Sequence, residues 1–128
     1  MSSKMPSMSE PTRAWAFYID DMIAFAEKVM HYTRGLDQNA FETSPLHQDA
    51  TLRNLELIGE AATHIPTDIR ALYPDIPWRR IVATRNRLIH AYLGIDPDTV
   101  WSIVRDDVPS LLARLHDMKN RLERSSRQ

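Results

Sequence analysis

Apolar residues in this chain recur every three or four positions, the spacing that lines up one face of an α-helix. Between Thr12 and Tyr32 they are Trp15, Ile19, Met22, Ile23, Ala26, Val29 and Met30, and Gly35 follows as a stop signal. A connection with room for one short helical turn leads to Ser44-Pro45. There a serine can cap the free N–H groups of a second helix, and a proline suits its first position. The apolar face of that helix includes Leu52, Leu55, Ile58 and Ala62. Thr67–Tyr73 reads as two turns that Pro74 ends. A further helix opens near Pro77-Trp78 and closes at Gly94. Asp96-Pro97 repeats the cap-plus-proline signal and begins a last helix to about Arg124, with Val100, Val104, Val108, Leu111, Leu115, Met118 and Leu122 facing inward. Pro109 predicts a kink or a break inside it. Three glycines and few alternating β-branched runs argue against sheet. The pattern predicts an all-α, antiparallel bundle of four to five helices. It occupies residues 12–124, between a flexible N-terminal tail (1–11) and a short C-terminal tail (125–128).

Composition narrows the class. With 128 residues, 43% apolar and 26% charged, the chain suits one ordinary globular domain. No apolar run reaches the roughly 18–20 residues that cross a bilayer. Met1 to Pro11 is polar and lacks the apolar centre of a signal peptide. There is no cysteine, hence neither a disulfide framework nor thiolate chemistry, and a cytoplasmic location is expected. A net charge of −1 does not resemble the basic excess of most nucleic-acid binders. The distribution changes that picture. From Ile76 to Ile95 the chain has Arg79, Arg80, Arg85 and Arg87 and no Asp or Glu, a local patch able to attract a phosphate backbone. For Arg79 and Arg80 a plain solvated face is an equal alternative.

The helix carrying this patch has an unusual wheel. With Trp78 at zero and about 100° per residue, Trp78, Ile81, Val82, Leu88, Ile89 and Tyr92 share an arc of roughly 120°. Arg85 falls near the centre of that arc. An unpaired buried charge there costs several kcal/mol, so compensation is expected from a facing carboxylate, a second subunit or a bound phosphate; snorkelling to the surface is the alternative. Glu56 and Glu60, on one stripe with Arg53 in the second helix, are the candidate structural partners. His90 lies about 140° around the helix from Arg85 and roughly 7.5 Å along it, on a stripe with Asn86. One ideal helix therefore does not aim the two groups together. A symmetric dimer, in which two copies of this helix meet, would line one cleft with both.

An arginine and a histidine in one cleft suit RNA cleavage. RNA supplies its own nucleophile, the 2′-hydroxyl; an imidazole near neutrality can take that proton or protonate the leaving oxygen. A guanidinium can neutralise charge building on the phosphorane oxygens. The five histidines (His31, His47, His64, His90, His116) have no metal-ligand spacing, and neither a glycine-rich phosphate loop nor a serine elbow is present. No metal and no cofactor are expected.

Several stretches taken in order resemble a known family. Asp49-Ala50-Thr51-Leu52-Arg53-Asn54-Leu55-Glu56-Leu57-Ile58-Gly59-Glu60-Ala61 is similar to the second-helix signature of HepT-like proteins, and Ile76-Pro77-Trp78-Arg79 to their approach to the active helix. Arg85-Asn86-Arg87-Leu88-Ile89-His90-Ala91-Tyr92 resembles their Arg-x4-His-x-Tyr motif, continued by Gly94-Ile95-Asp96 and Val100-Trp101. The likeness spans roughly Thr12 to Leu122. It implies a HEPN-domain toxin of a two-gene toxin–antitoxin system, a homodimeric helical bundle that cleaves RNA without metal. By position it makes Arg85 and His90 the catalytic pair, with Asn86 and Arg87 supporting them. It also implies a minimal nucleotidyltransferase of MntA type as antitoxin, able to modify Tyr92 with AMP. Bulk and negative charge would then sit where the RNA phosphate must bind. A half-buried core tyrosine is the plainer reading of Tyr92. A competing function is a non-catalytic helical partner that presents a nucleotide or substrate to the nucleotidyltransferase.

Overall fold

The computed structural model describes residues 4–90 and 95–126. Its first helix, α1, runs Lys4–Thr33 and begins two turns earlier than the apolar pattern predicts, reaching back through the segment read as a tail. Pro6 falls in its first turn, where a missing N–H costs nothing. The predicted face is the buried one: Trp15, Ile19, Met22, Ile23, Ala26 and Val29 are all core residues. Gly35 ends the run with φ at +78°, a left-handed conformation that a Cβ disfavours.

Short helix α2, Gln38–Glu42, is capped by Asp37, whose carboxylate accepts the Ala40 N–H at 2.8 Å. Helix α3, Pro45–Ala62, starts at the predicted signal, with the Ser44 hydroxyl accepting from the His47 N–H. Helix α4 is the two-turn Thr67–Leu72. Arg70 reaches back from it to the exposed carbonyl end of α3, donating to the Ala62 and Ile65 carbonyls at 2.7 and 3.0 Å. Helix α5, Trp78–His90, is fixed at its start by buried Trp78, whose indole N–H donates to the Tyr73 carbonyl at 3.1 Å. The expected closure at Gly94 lies outside the described residues.

The last stretch departs from expectation in an instructive way. Helix α6, Pro97–Ser102, passes without a break through a π-helical turn, Ile103–Asp107, into α7, Val108–Ser126. The Val108 N–H donates to the Ile103 carbonyl, five residues back. Pro109 has no N–H to give and its ring would collide with a carbonyl four residues earlier in a regular helix. Widening the preceding turn relieves that collision while keeping the chain helical. Asp96 does precede the helix, yet it makes no side-chain cap; its carboxylate accepts the Thr99 hydroxyl instead.

The described residues contain only helices, turns and connections, an all-α bundle as predicted. Helix α1 packs against α3 and α7, and α3 packs in turn against α5. The core runs between these helices through Met22, Val29, Ile58, Ala62, Leu115 and Met118. Helix α5 is therefore the outermost long element, with α3 behind it. Of its residues only Trp78 is buried; Ile81, Val82 and Leu88 are half-covered, and Ile89 is 36% exposed. No helix of the described residues is long and apolar enough to cross a membrane.

Candidate active site on helix α5

The approach of α5 to α3 is set by a missing side chain. Gly59, buried in the middle of α3, faces Arg85: a Cβ built on it would stand 2.2 Å from the Arg85 Cβ, 2.8 Å from its Cγ and 3.1 Å from the Ile81 carbonyl oxygen. Only glycine lets the two backbones come this near. The aliphatic stem of Arg85 consequently lies flat over α3, and its head emerges beside the next residue, Glu60.

The guanidinium is held on two sides. One terminal nitrogen donates to Glu60 Oε1 at 2.5 Å and the other to Asn86 Oδ1 at 2.9 Å. The Arg85 side chain is 26% exposed, Glu60 48%. Of the two glutamates expected as candidates, Glu60 is the partner. Glu56 pairs with Arg53 at 3.4 Å on the exposed side of α3. Neither a fully buried charge nor a freely waving side chain describes Arg85: its stem is packed, its head is paired, and its Nε is buried with no hydrogen-bond partner among the described residues.

His90 is the last residue of α5, exposed. Because α5 is one unbroken helix, the angular gap of about 140° between Arg85 and His90 stands. Within one chain the structure does not bring the pair together. Asn86 bridges the gap partway, on the same stripe as His90. Arg87 is exposed and, with Arg80, Thr84, Thr99 and Ser102, lines a cleft of about 460 Å³ between α5 and α6. A second cleft, about 200 Å³, lies between α3, α5 and α7, with the Arg80–Asp107 ion pair (2.8 Å) at its rim. Neither of these clefts is lined by Arg85 or His90. Tyr92 lies outside the described residues.

Three participants escaped the sequence reading. Gly59 is one; a glycine inside a predicted helix, at a cost of about 1 kcal/mol against alanine, was the available signal of close packing. The others are His64, with Nε2 3.7 Å from Glu60 Oε2, and Tyr18, whose ring stacks on His64 at 4.3 Å and 9°. Their signal was slight: His64 sits four residues after Glu60, a helical neighbour, and nothing local points to Tyr18. Among the described residues no group of three or more His, Asp or Glu is gathered so as to hold a metal ion.

Residues 22–118 match the family described as ribonuclease HepT-like. The chain belongs to that family. It is 37% identical over 102 residues to a protein of Thermococcus cleftensis named "Probable ribonuclease HepT", covering 80% of this chain and 93% of that one. It is 39% identical over 94 residues to "Putative RNase MJ1380" of Methanocaldococcus jannaschii, covering 73% and 86%. No solved structure matches the chain significantly. HepT-like membership matches the resemblance drawn from the second-helix and α5 segments, and ribonuclease is the activity the family supports.

Proposed function

We propose that the protein is a metal-independent endoribonuclease whose site forms where two copies of α5 meet, with Arg85 and His90 as its catalytic pair. The observation that carries this reading is the state of Arg85. Its guanidinium is pinned at the open side of α5 by Glu60 and Asn86, with further N–H groups left for a phosphate. A second α5 laid against the first would turn an open helix face into a cleft and would bring a His90 toward each Arg85. Half-covered Val82 and Leu88 and partly exposed Ile89 give such a contact apolar surface to bury.

In that cleft one His90 imidazole takes the proton of an RNA 2′-hydroxyl as the oxygen attacks the adjacent phosphorus. The bond from phosphorus to the 5′-oxygen breaks, and the same imidazole, protonated by the first transfer, returns that proton to the leaving oxygen. Arg85 stabilises the negative charge on the phosphorane. The products are a 2′,3′-cyclic phosphate and a 5′-hydroxyl. Asn86 orients Arg85 and Arg87 supports the RNA backbone.

In the cell this activity is that of a toxin restrained by an MntA-like nucleotidyltransferase antitoxin, with Tyr92 as AMP acceptor. Tyr92 is two residues past His90 in sequence, so AMP on it would add negative charge close along the chain to a residue that RNA must reach. The purified protein should cleave RNA in EDTA and leave cyclic-phosphate ends, and Arg85→Ala and His90→Ala should each abolish cleavage while melting like the wild type. Undiminished cleavage in either variant contradicts the assignment. A second reading, a non-catalytic nucleotide-binding partner of the nucleotidyltransferase, draws on the cleft of Arg80, Thr84, Arg87, Thr99 and Ser102, which the Asp98 carboxylate also lines. Nucleotide binding that Arg87→Ala weakens, without any cleavage, favours it.

A further inference from the structure

We infer that Glu60 is the positioning residue of Arg85, with His64 and the Tyr18 ring stacked on it lying alongside the carboxylate. Resting on the ribonuclease reading, this inference deepens it by assigning what aims the catalytic guanidinium. A salt bridge at a half-exposed site contributes little to stability. Several features set this one apart from a surface pair.

Of the two carboxylate oxygens of Glu60, one is hydrogen-bonded to Arg85 and the other faces His64. Oε1 accepts from Arg85 at 2.5 Å, while Oε2 lies 3.7 Å from His64 Nε2. His64 is itself restrained by its parallel stack on Tyr18, which belongs to α1, the helix at the centre of the bundle. His64 thus borders the far oxygen of Glu60 without a hydrogen bond to it, and the contact that fixes Glu60 is the one it makes to Arg85. On the other side, Gly59 brings the Arg85 stem against the α3 backbone, so the stem cannot swing and the head has few placements. The buried, unpartnered Nε leaves orientation to the two terminal nitrogens, one on Glu60 and one on Asn86.

Positioning has a chemical consequence distinct from stability. Glu60 neutralises Arg85 in the absence of RNA, so an incoming phosphate meets an arginine whose charge is partly answered. Removing the carboxylate frees the charge but loses the aim. RNA should then bind as well or better, while the step that needs the guanidinium at the phosphorane oxygens slows. A misplacement of about 1 Å can cost on the order of 10²-fold in rate.

The test uses the full-length protein and an oligoribonucleotide substrate. Glu60→Ala should lower kcat by about 10²-fold with KM unchanged or reduced, and Glu60→Gln, which keeps an acceptor oxygen, should recover most of the rate. Equal kcat in wild type and Glu60→Ala, or a loss confined to KM, overturns the inference, as does a Gln variant no better than Ala. A second measurement does not depend on cleavage. The NMR signals of the Arg85 terminal N–H groups, assigned through Arg85→Lys, should be shifted from the free-arginine position in wild type and Glu60→Gln and move toward it in Glu60→Ala. Should the wild type cleave no RNA, the ribonuclease reading fails, and the signal still decides whether Glu60 fixes Arg85. A signal indifferent to both substitutions overturns the positioning role.

Discussion

Gly59→Ala changes one hydrogen for a methyl, and its effect can be worked from the packing of α3 on α5. The new Cβ would stand 2.2 Å from the Arg85 Cβ, whereas carbon atoms rest at roughly 3.5–4.0 Å. Both atoms are bonded directly to backbone, so no rotamer change separates them, and the helices must part by more than about 1 Å. With no rotamer to relieve it, the overpacking cost lies in the upper part of the usual range, about 2–3 kcal/mol. Alanine's better helix propensity returns about 1 kcal/mol, which leaves a net loss of about 1–2 kcal/mol. For a domain of this size that lowers the melting midpoint by roughly 3–10 °C. Moving α5 away also stretches the 2.5 Å contact of Arg85 with Glu60, so RNA cleavage should fall by more than the lost stability explains. Thermal and urea denaturation beside a cleavage assay check both effects. A midpoint equal to or above the wild type would refute the reasoning, because it would mean that α3 and α5 do not touch at Gly59 and that helix propensity alone decides.

Two further outcomes follow from single contacts. Ser44→Ala removes the hydroxyl that accepts at the start of α3 and should cost about 1 kcal/mol in urea denaturation, with cleavage unchanged. Lys119 lies 3.0 Å from Asp20, whose hydrogen bond and charge hold the ammonium above its ordinary value. A raised lysine contributes stability that is full below the unfolded value and fades as pH climbs through the folded one. Lys119→Met should therefore cost less than about 1 kcal/mol at neutral pH, and the difference from wild type should begin to fade only as the pH passes the ordinary lysine value of 10.5 and climbs through the raised one; a gap that widens there contradicts the pairing.

Much of the fold was legible because apolar spacing and end signals agree. Trp15 through Val29 and Val100 through Met118 are buried as their periodicity requires, and Ser44-Pro45 and Gly35 mark real ends. Pro109 was legible as a disturbance but not as a π turn, since a proline's collision can be relieved by a kink, a break or a wider turn, and the choice depends on what the neighbouring turns pack against. The start of α1 was missed because residues before Thr12 have no apolar period to read. At the site, the wheel placed Arg85 on the packing face and pointed to α3 carboxylates as its partners. It could not choose Glu60 over Glu56, because that choice depends on the axial offset of α5 along α3, which Gly59 sets through a contact between residues far apart in sequence. Tyr18 and His64 were beyond reach for the same reason: ring stacking across α1 and the end of α3 leaves no local pattern.

The account stands on Arg85 and His90 acting from different copies of α5. Mixing purified Arg85→Ala and His90→Ala chains, with subunit exchange verified by native mass spectrometry, tests this directly. Neither variant should cleave RNA alone, and the mixed dimer, which retains one Arg85 and one His90 on opposite chains, should regain cleavage. Mixed dimers that form and stay inactive would contradict a site shared between two chains.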